Sequence, residues 1–150
     1  PMNGVIGIAE LIRDTATDER QRELASIIAA SGGSLMAIIN DILDFSKLEA
    51  GRMRLDMGPF NLRNTLEETA ALMRARATAK DLKLSVDYAA DAPEHFRGDE
   101  ARIRQVVGNL VGNAVKYTEA GSITVSAAVI ASGAACRMRV EVIDTGIGIS

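Results

Sequence analysis

Asn109, Asn113 and Lys116 recur at steps of four and three, which places them on one line of a helix. Two amides and an ammonium are poor core material. They suit a metal–phosphate site, because Mg²⁺ prefers oxygen ligands and a lysine meets phosphate oxygens as a mobile point charge. Taken alone, such a stripe is more often a solvated helix face. Further along, Met138, Val140, Val142 and Asp144 share one parity, so a strand there would deliver the carboxylate on its buried side. A buried carboxylate needs partners. At a pocket floor it can accept a hydrogen bond from an exocyclic amine such as that of adenine. Thr145-Gly146-Ile147-Gly148 follows at once, with glycines that let backbone bend closely around a ligand. Alone, this run is equally a strand-ending turn.

The elements that position these groups are legible from periodicity. Asp99 is placed to cap a helix to about residue 117, whose apolar stripe Ile103, Val107, Leu110 and Ala114 is expected to dock on a sheet. The Asn/Lys stripe lies roughly 130° around that helix. Upstream, Asn61 is a plausible N-cap for a helix over residues 62–80. Its Arg74, Arg76 and Lys80 read as a solvated basic face. Leu82, Leu84 and Val86 alternate with polar residues as a half-buried strand, and residues 89–98 read as a loop. Gly121 opens a strand carrying Ile123, Val125, Ala127 and Val129. Ser132-Gly133 makes a turn, and a last strand starts near Cys136. A weak alternation over residues 53–57 reads as a short strand ended by Pro59.

The first third of the chain is written differently. Val5, Ile8 and Ile12 mark a helix over residues 2–13, residues 15–18 are a polar break, and a helical pattern then runs over residues 20–52. Along it Leu24, Ile28, Ser31, Leu35, Ile38, Ile42 and Phe45 are separated by alternating steps of four and three, the heptad stripe of helices that pack lengthwise. Ser31, Gly32 and Gly33 predict local weakness or a bend. A helix of roughly 30 residues is about 45 Å long, and the first helix is too short to cover it. The missing cover comes from residues outside this sequence, from a second copy, or from both. Two hairpins forming a four-helix bundle satisfy the requirement. A hairpin packed on its own downstream domain is the alternative.

At 150 residues, 47% hydrophobic and 25% charged, the chain has the balance of a globular protein, one ordinary domain or two small ones. The boundary falls near residues 51–55, giving segments 1–53 and 54–150. A net charge of -3 disfavours a nucleic-acid-binding surface, so no nucleic-acid partner is expected. The single cysteine, Cys136, cannot form an internal disulfide and is expected as a small core residue in a reducing compartment. No run reaches the roughly 18 apolar residues of a membrane span, and no signal-peptide pattern opens the chain. A cytoplasmic location without direct membrane contact is the expectation, with any membrane anchor of the parent lying outside this sequence.

Taken in order, these segments resemble a known family. NLVGNAVKYT at residues 109–118 is similar to the N box, and DTGIG at 144–148 to the G1 box, of histidine-kinase ATP-binding domains. GDEARIRQVVGNL resembles the segment leading into that N box. PMNGVIGIAELI resembles the residues after the phosphoacceptor histidine, and ILDFSKLEAGRM the end of the second dimerisation helix. The resemblance implies an α+β protein: a long helical hairpin, a four-helix bundle as a dimer, followed by a partial Bergerat-type α/β sandwich of the GHKL class. It implies ATP and Mg²⁺ as cofactors. Asn113 matches the Mg²⁺ ligand, Asn109 the asparagine near the phosphates, Lys116 a phosphate contact and Tyr117 the aromatic beside the adenine. Asp144 matches the adenine-reading aspartate, and Gly146 and Gly148 the pocket glycines. The implied activity is that of a sensor histidine kinase of a two-component system, moving phosphate from ATP to histidine and on to a response-regulator receiver domain. The PMNG wording resembles the hybrid subgroup.

Departures qualify the match. By the resemblance, the acceptor histidine stands before Pro1, and the ATP lid, second glycine box and closing strands follow Ser150. The 150 residues alone are therefore expected not to autophosphorylate and to bind ATP weakly. His95, the one histidine, reads as an exposed loop residue. Two alternatives remain: a non-catalytic pseudokinase or dimerisation scaffold, and an ATPase of the same fold. The ATPases carry a glutamate where Asn109 stands, and an amide cannot serve as general base.

Overall fold

The computed structural model describes residues 2–131 and 137–148. Ser132-Gly133 and Cys136 lie outside the described residues. The chain divides into two compact units, Pro1–Arg54 and Leu55–Ser150.

The first unit is a helical hairpin of α1 (Met2–Thr15) and α2 (Glu19–Glu49). Asp18 caps α2 by accepting from the Arg20 N–H. The two helices meet through small residues: Ala9 and Ala25 are buried, and Gly32 is buried against Ile6. The expected weakness at Gly32 and Gly33 is not found, since α2 is one continuous 31-residue helix. Its glycine is a point of close approach instead. A Cβ on Gly32 would lie 2.8 Å from Cγ1 of Ile6, whereas one on Gly33 would meet open space.

The heptad stripe is exposed, with Leu35 at 46%, Ile38 at 54%, Ile42 at 59% and Phe45 at 60%. The expectation that nothing is apolar enough for a bilayer needs correction, because α2 passes by length and composition. An uninterrupted apolar run is broken by every serine or glycine, whereas a mean hydropathy over 18 residues tolerates them among the alanines and isoleucines. The polar Ser26, Ser31, Ser34, Asn40 and Asp41 interleave with the stripe, a distribution that suits a helix–helix seam.

The second unit layers two helices on a mixed sheet. Its elements are β1 (Gly58–Asn61), α3 (Leu62–Thr78), β2 (Lys83–Tyr88), β3 (His95–Gly98), α4 (Glu100–Tyr117), β4 (Ser122–Ala131) and β5 (Arg137–Asp144). The sheet order is β2-β4-β5, with β4 parallel to β2 and antiparallel to β5. Leu66 of α3, Val111 of α4, and Ile123 and Val125 of β4 are fully buried and form the centre of the core.

A separate two-stranded ribbon pairs β1 with β3, matching Pro59 to Arg97 and Phe60 to Phe96. Two expectations fail here. Residues 53–57 form no strand, and Pro59 sits inside β1 rather than ending one. A proline is tolerated in so short a ribbon because each strand has a free edge for the residue that lacks an N–H. His95 is exposed as expected, but it lies on β3 and not in a loop.

Asn61 and Asp99 cap α3 and α4 by accepting from the N–H groups of Asn64 and Arg102. Asp99 also accepts from the Asp56 N–H at 3.0 Å, tying the start of this unit to the start of α4. Arg104 joins Glu68 of α3 to Glu100 of α4, and Thr65 donates to Glu100. The two helices are thereby held in one register beneath the site.

Two outcomes follow. Gly32→Val and Gly33→Val share the same small gain in helix propensity, so their difference in unfolding free energy isolates the contact with Ile6. Gly32→Val should be the less stable by about 1–3 kcal/mol in chemical denaturation. The N–H groups of Asp56 and then Arg102 hold the Asp99 carboxyl below the usual range. A depressed folded-state value contributes stability above the unfolded value of about 3.9, and that contribution is lost as pH falls through the folded value. Asp99→Asn keeps one acceptor oxygen and cannot titrate, so its melting temperature should fall less than that of the wild type as pH drops below about 4.

Candidate nucleotide site

The last turn of α4 faces the turn that follows β5. Between them lies a cleft of about 420 Å³ lined by Leu110, Asn113, Ala114, Tyr117, Val142, Asp144, Ile147 and Gly148. That volume is within the range of small-ligand pockets, about 300–1,000 Å³. Four of the seven residues singled out from sequence line it: Asn113, Tyr117, Asp144 and Gly148.

Gly146 stands against the helix end. A Cβ there would lie 2.8 Å from both Oδ1 of Asp144 and the carbonyl oxygen of Tyr117. Only glycine lets the turn approach α4 so closely. Gly148 has a different reason to be glycine, a φ of +73° with open space around it. Asn109 and Lys116 are exposed on α4 and do not line the cleft, and Lys116 Nζ stands 4.8 Å from the centre of the Tyr117 ring.

Asp144 is not buried as its parity predicted. It is exposed at the end of β5, opposite Ile123, and its Oδ1 accepts from the Gly146 N–H at 2.8 Å. Parity carries a side chain to a face, but the sheet ends here, so the carboxylate meets the cleft and keeps access to water. The N–H of Gly146 fixes one oxygen and leaves acceptor capacity for a ligand.

Leu110 also departs from expectation. It is 47% exposed and lines the cleft, while Val111 takes its place in the core. The buried line of α4 runs through Val107, Val111, Ala114 and Val115. The true stripe is therefore turned by one position, and Leu110 lies on its flank.

Sequence reasoning passed over Thr145. Its Oγ1 accepts from the Ser122 N–H and donates to the Ala120 carbonyl, joining the turn to the start of β4. Gly121, at φ +109°, would press any Cβ into that hydroxyl. A Thr followed closely by Gly after a strand is too common a pairing to have marked this role. Lys80 was read as solvated, yet its ammonium donates to the carbonyls of Val115 and Lys116.

A second groove, about 510 Å³, lies between the β1–β3 ribbon, the first half of α4 and β5, with Phe60, Phe96, Ile103 and Met138 among its lining. It is larger, but it contains none of the seven predicted residues and no carboxylate. The 420 Å³ cleft, where Asn113, Tyr117 and Asp144 converge on an apolar wall, is the candidate ligand site.

The chain is similar to known proteins along its length. Residues 1–51 match the family model described as His Kinase A (phospho-acceptor) domain. Residues 98–150 match that of the histidine kinase-, DNA gyrase B- and HSP90-like ATPases. The signal transduction histidine-protein kinase BarA of Escherichia coli (strain K12) is 43% identical over 150 residues, covering 99% of this chain and 16% of that protein. The sensor protein GacS of Pseudomonas syringae pv. syringae is 40% identical over 151 residues, covering 100% of this chain and 17% of that protein. The chain thus spans about a sixth of the length of these relatives. Among solved structures, full-length ShkA in complex with AMPPNP superposes with a TM-score of 0.78 at 36% identity, over 100% of this chain and 32% of that one. Phosphoacceptor hairpin, ATPase-type unit and end-to-end relatives agree in order and position, and the chain belongs to the sensor histidine kinase family.

Proposed function

We propose that the second unit binds ATP with Mg²⁺, and that the chain serves a kinase that passes the γ-phosphoryl group to a histidine nitrogen and then to an aspartate of a response-regulator receiver domain. The observation that carries this reading is the convergence of Asn113, Tyr117 and Asp144 on one cleft. The Asp144 carboxylate accepts from the exocyclic amine of adenine. Leu110, Tyr117 and Ile147 flank the base, and Gly148 leaves room beside it. The AMPPNP complex of ShkA supports a nucleotide as the ligand.

Asn113 fits Mg²⁺ by its donor chemistry. Among the described residues no three His, Cys, Asp or Glu side chains gather as a metal cage. Mg²⁺ needs no such cage, since it takes one or two protein oxygens and completes its shell with phosphates and water. When bound, the ion neutralises part of the phosphate charge. Lys116 adds a second positive charge from the exposed side of α4, and Asn109 stands one turn before Asn113 on the same helix. The protein's contribution is positioning and charge, since phosphoryl transfer asks little covalent chemistry of it.

The exposed heptad face of α2 is the dimer seam, two hairpins giving a four-helix bundle. His95 lies outside the phosphoacceptor match, so the acceptor is supplied by residues other than these 150.

A form of the protein extended to include an acceptor helix and the rest of the nucleotide domain, given γ-labelled ATP and Mg²⁺, should take up label that is lost in acid and survives alkali. ATP binding without label would replace the kinase by a pseudokinase scaffold. In the same protein Asp144→Asn should raise the ATP dissociation constant about ten- to hundredfold, the cost of a lost charge-assisted bond. Unchanged affinity would remove Asp144 from the adenine site.

A further inference from the structure

The end of α4 is unusual for a helix beside a polyphosphate. Anions gather at helix N-termini, because free N–H groups and the positive end of the dipole meet there. Here Asn113, Lys116 and Tyr117 occupy the C-terminal turn, where free carbonyls make the potential negative. The helix stops abruptly at Thr118, which is extended (φ -95°, ψ 124°) and returns its N–H to Ala114. No left-handed glycine closes this end, so the carbonyls of Val115 and Lys116 need another donor.

Lys80 supplies it. Its Nζ donates to the Val115 carbonyl at 2.9 Å and to the Lys116 carbonyl at 3.0 Å. The lysine is itself held on a closed turn after α3. Its N–H bonds the Ala77 carbonyl, Leu82 N–H returns to the same oxygen, and Asp81 adopts a φ of +57° between them. The carbonyl after the two that Lys80 binds, that of Tyr117, is the one that packs against Gly146.

We infer that Lys80 is a positioning residue for the nucleotide site: it ties down the last turn of α4 and places a positive charge on the helix end that would otherwise repel the phosphates. This rests on the nucleotide reading above and adds a residue to it. Lys80 touches no nucleotide and is not catalytic. It acts through the placement of Asn113 and Lys116 toward the phosphates and through the charge behind them. An arginine can do both; a methionine fills the space and does neither.

The test measures binding of ATP with Mg²⁺, and of adenosine, to the extended protein as wild type, Lys80→Met and Lys80→Arg, with the melting temperature of each. Lys80→Met should weaken ATP about tenfold, the upper range for a charge at a helix terminus. Adenosine, which carries no phosphate, should change less than about twofold, and Lys80→Arg should restore ATP affinity to within about threefold. Unchanged ATP affinity in Lys80→Met overturns the inference. So does an equal loss for ATP and adenosine with a lowered melting temperature, which marks a purely structural lysine. Failure of the wild type to bind either ligand overturns the nucleotide reading itself and takes this role with it, a result distinct from the other two.

Discussion

The candidate site depends on one close approach, the seating of Gly146 against the Tyr117 carbonyl at the end of α4. A helix end and a strand end from distant parts of the chain must arrive together there. Asp144 takes the Gly146 N–H, Thr145 joins the same turn to Ala120 and Ser122, and Lys80 holds the helix end from the other side. Each contact is modest alone, about 1 kcal/mol for an ordinary hydrogen bond. Their value lies in agreement: all act on the same two chain ends, so the carboxylate and the amide of Asn113 face one cleft. The antiparallel register of β4 and β5, with Ile123 opposite Asp144, sets how far the strand reaches before it turns.

The two units follow different physical rules. The second closes its own core around Leu66, Val111, Ile123 and Val125 and leaves its polar groups at the rim. The hairpin buries little beyond Ala9, Ala25 and Gly32, while a stripe of large apolar residues faces outward. Small residues let α1 and α2 approach, and the large ones are left for another surface. The first unit therefore leaves its large apolar residues outward, as the proposed dimer seam requires, and the second encloses a core of its own.

Much of this was legible in the sequence. Helices, caps and the β2, β4 and β5 strands followed from period and punctuation, with Asp99 and Asn61 at the predicted caps. Of the Asn109, Asn113 and Lys116 stripe only Asn113 reaches the cleft, where it meets Asp144 and Gly148 of the DTGIG run. What escaped depends on three dimensions. Leu110 was put in the core because a stripe read at steps of four, three and four does not say which flank meets the sheet. Asp144 was put on a buried face because parity does not say where a sheet ends. Lys80 was taken as solvated because its partners lie 35 and 36 residues away. Pro59 reads as a strand end in sequence because it lacks an N–H for a ladder, and only the two-stranded ribbon, with a free edge on each strand, makes room for it.

The most direct test of the central claim is to follow backbone amide shifts of the protein, extended through the rest of the nucleotide domain, during titration with AMPPNP and Mg²⁺. The account predicts saturable shifts concentrated at Asn113, Tyr117, Gly146 and Gly148, the residues on either side of the Gly146 contact. Shifts confined to Phe60, Phe96 and Ile103 would place the nucleotide in the other groove and contradict the account, as would no saturable shift at all.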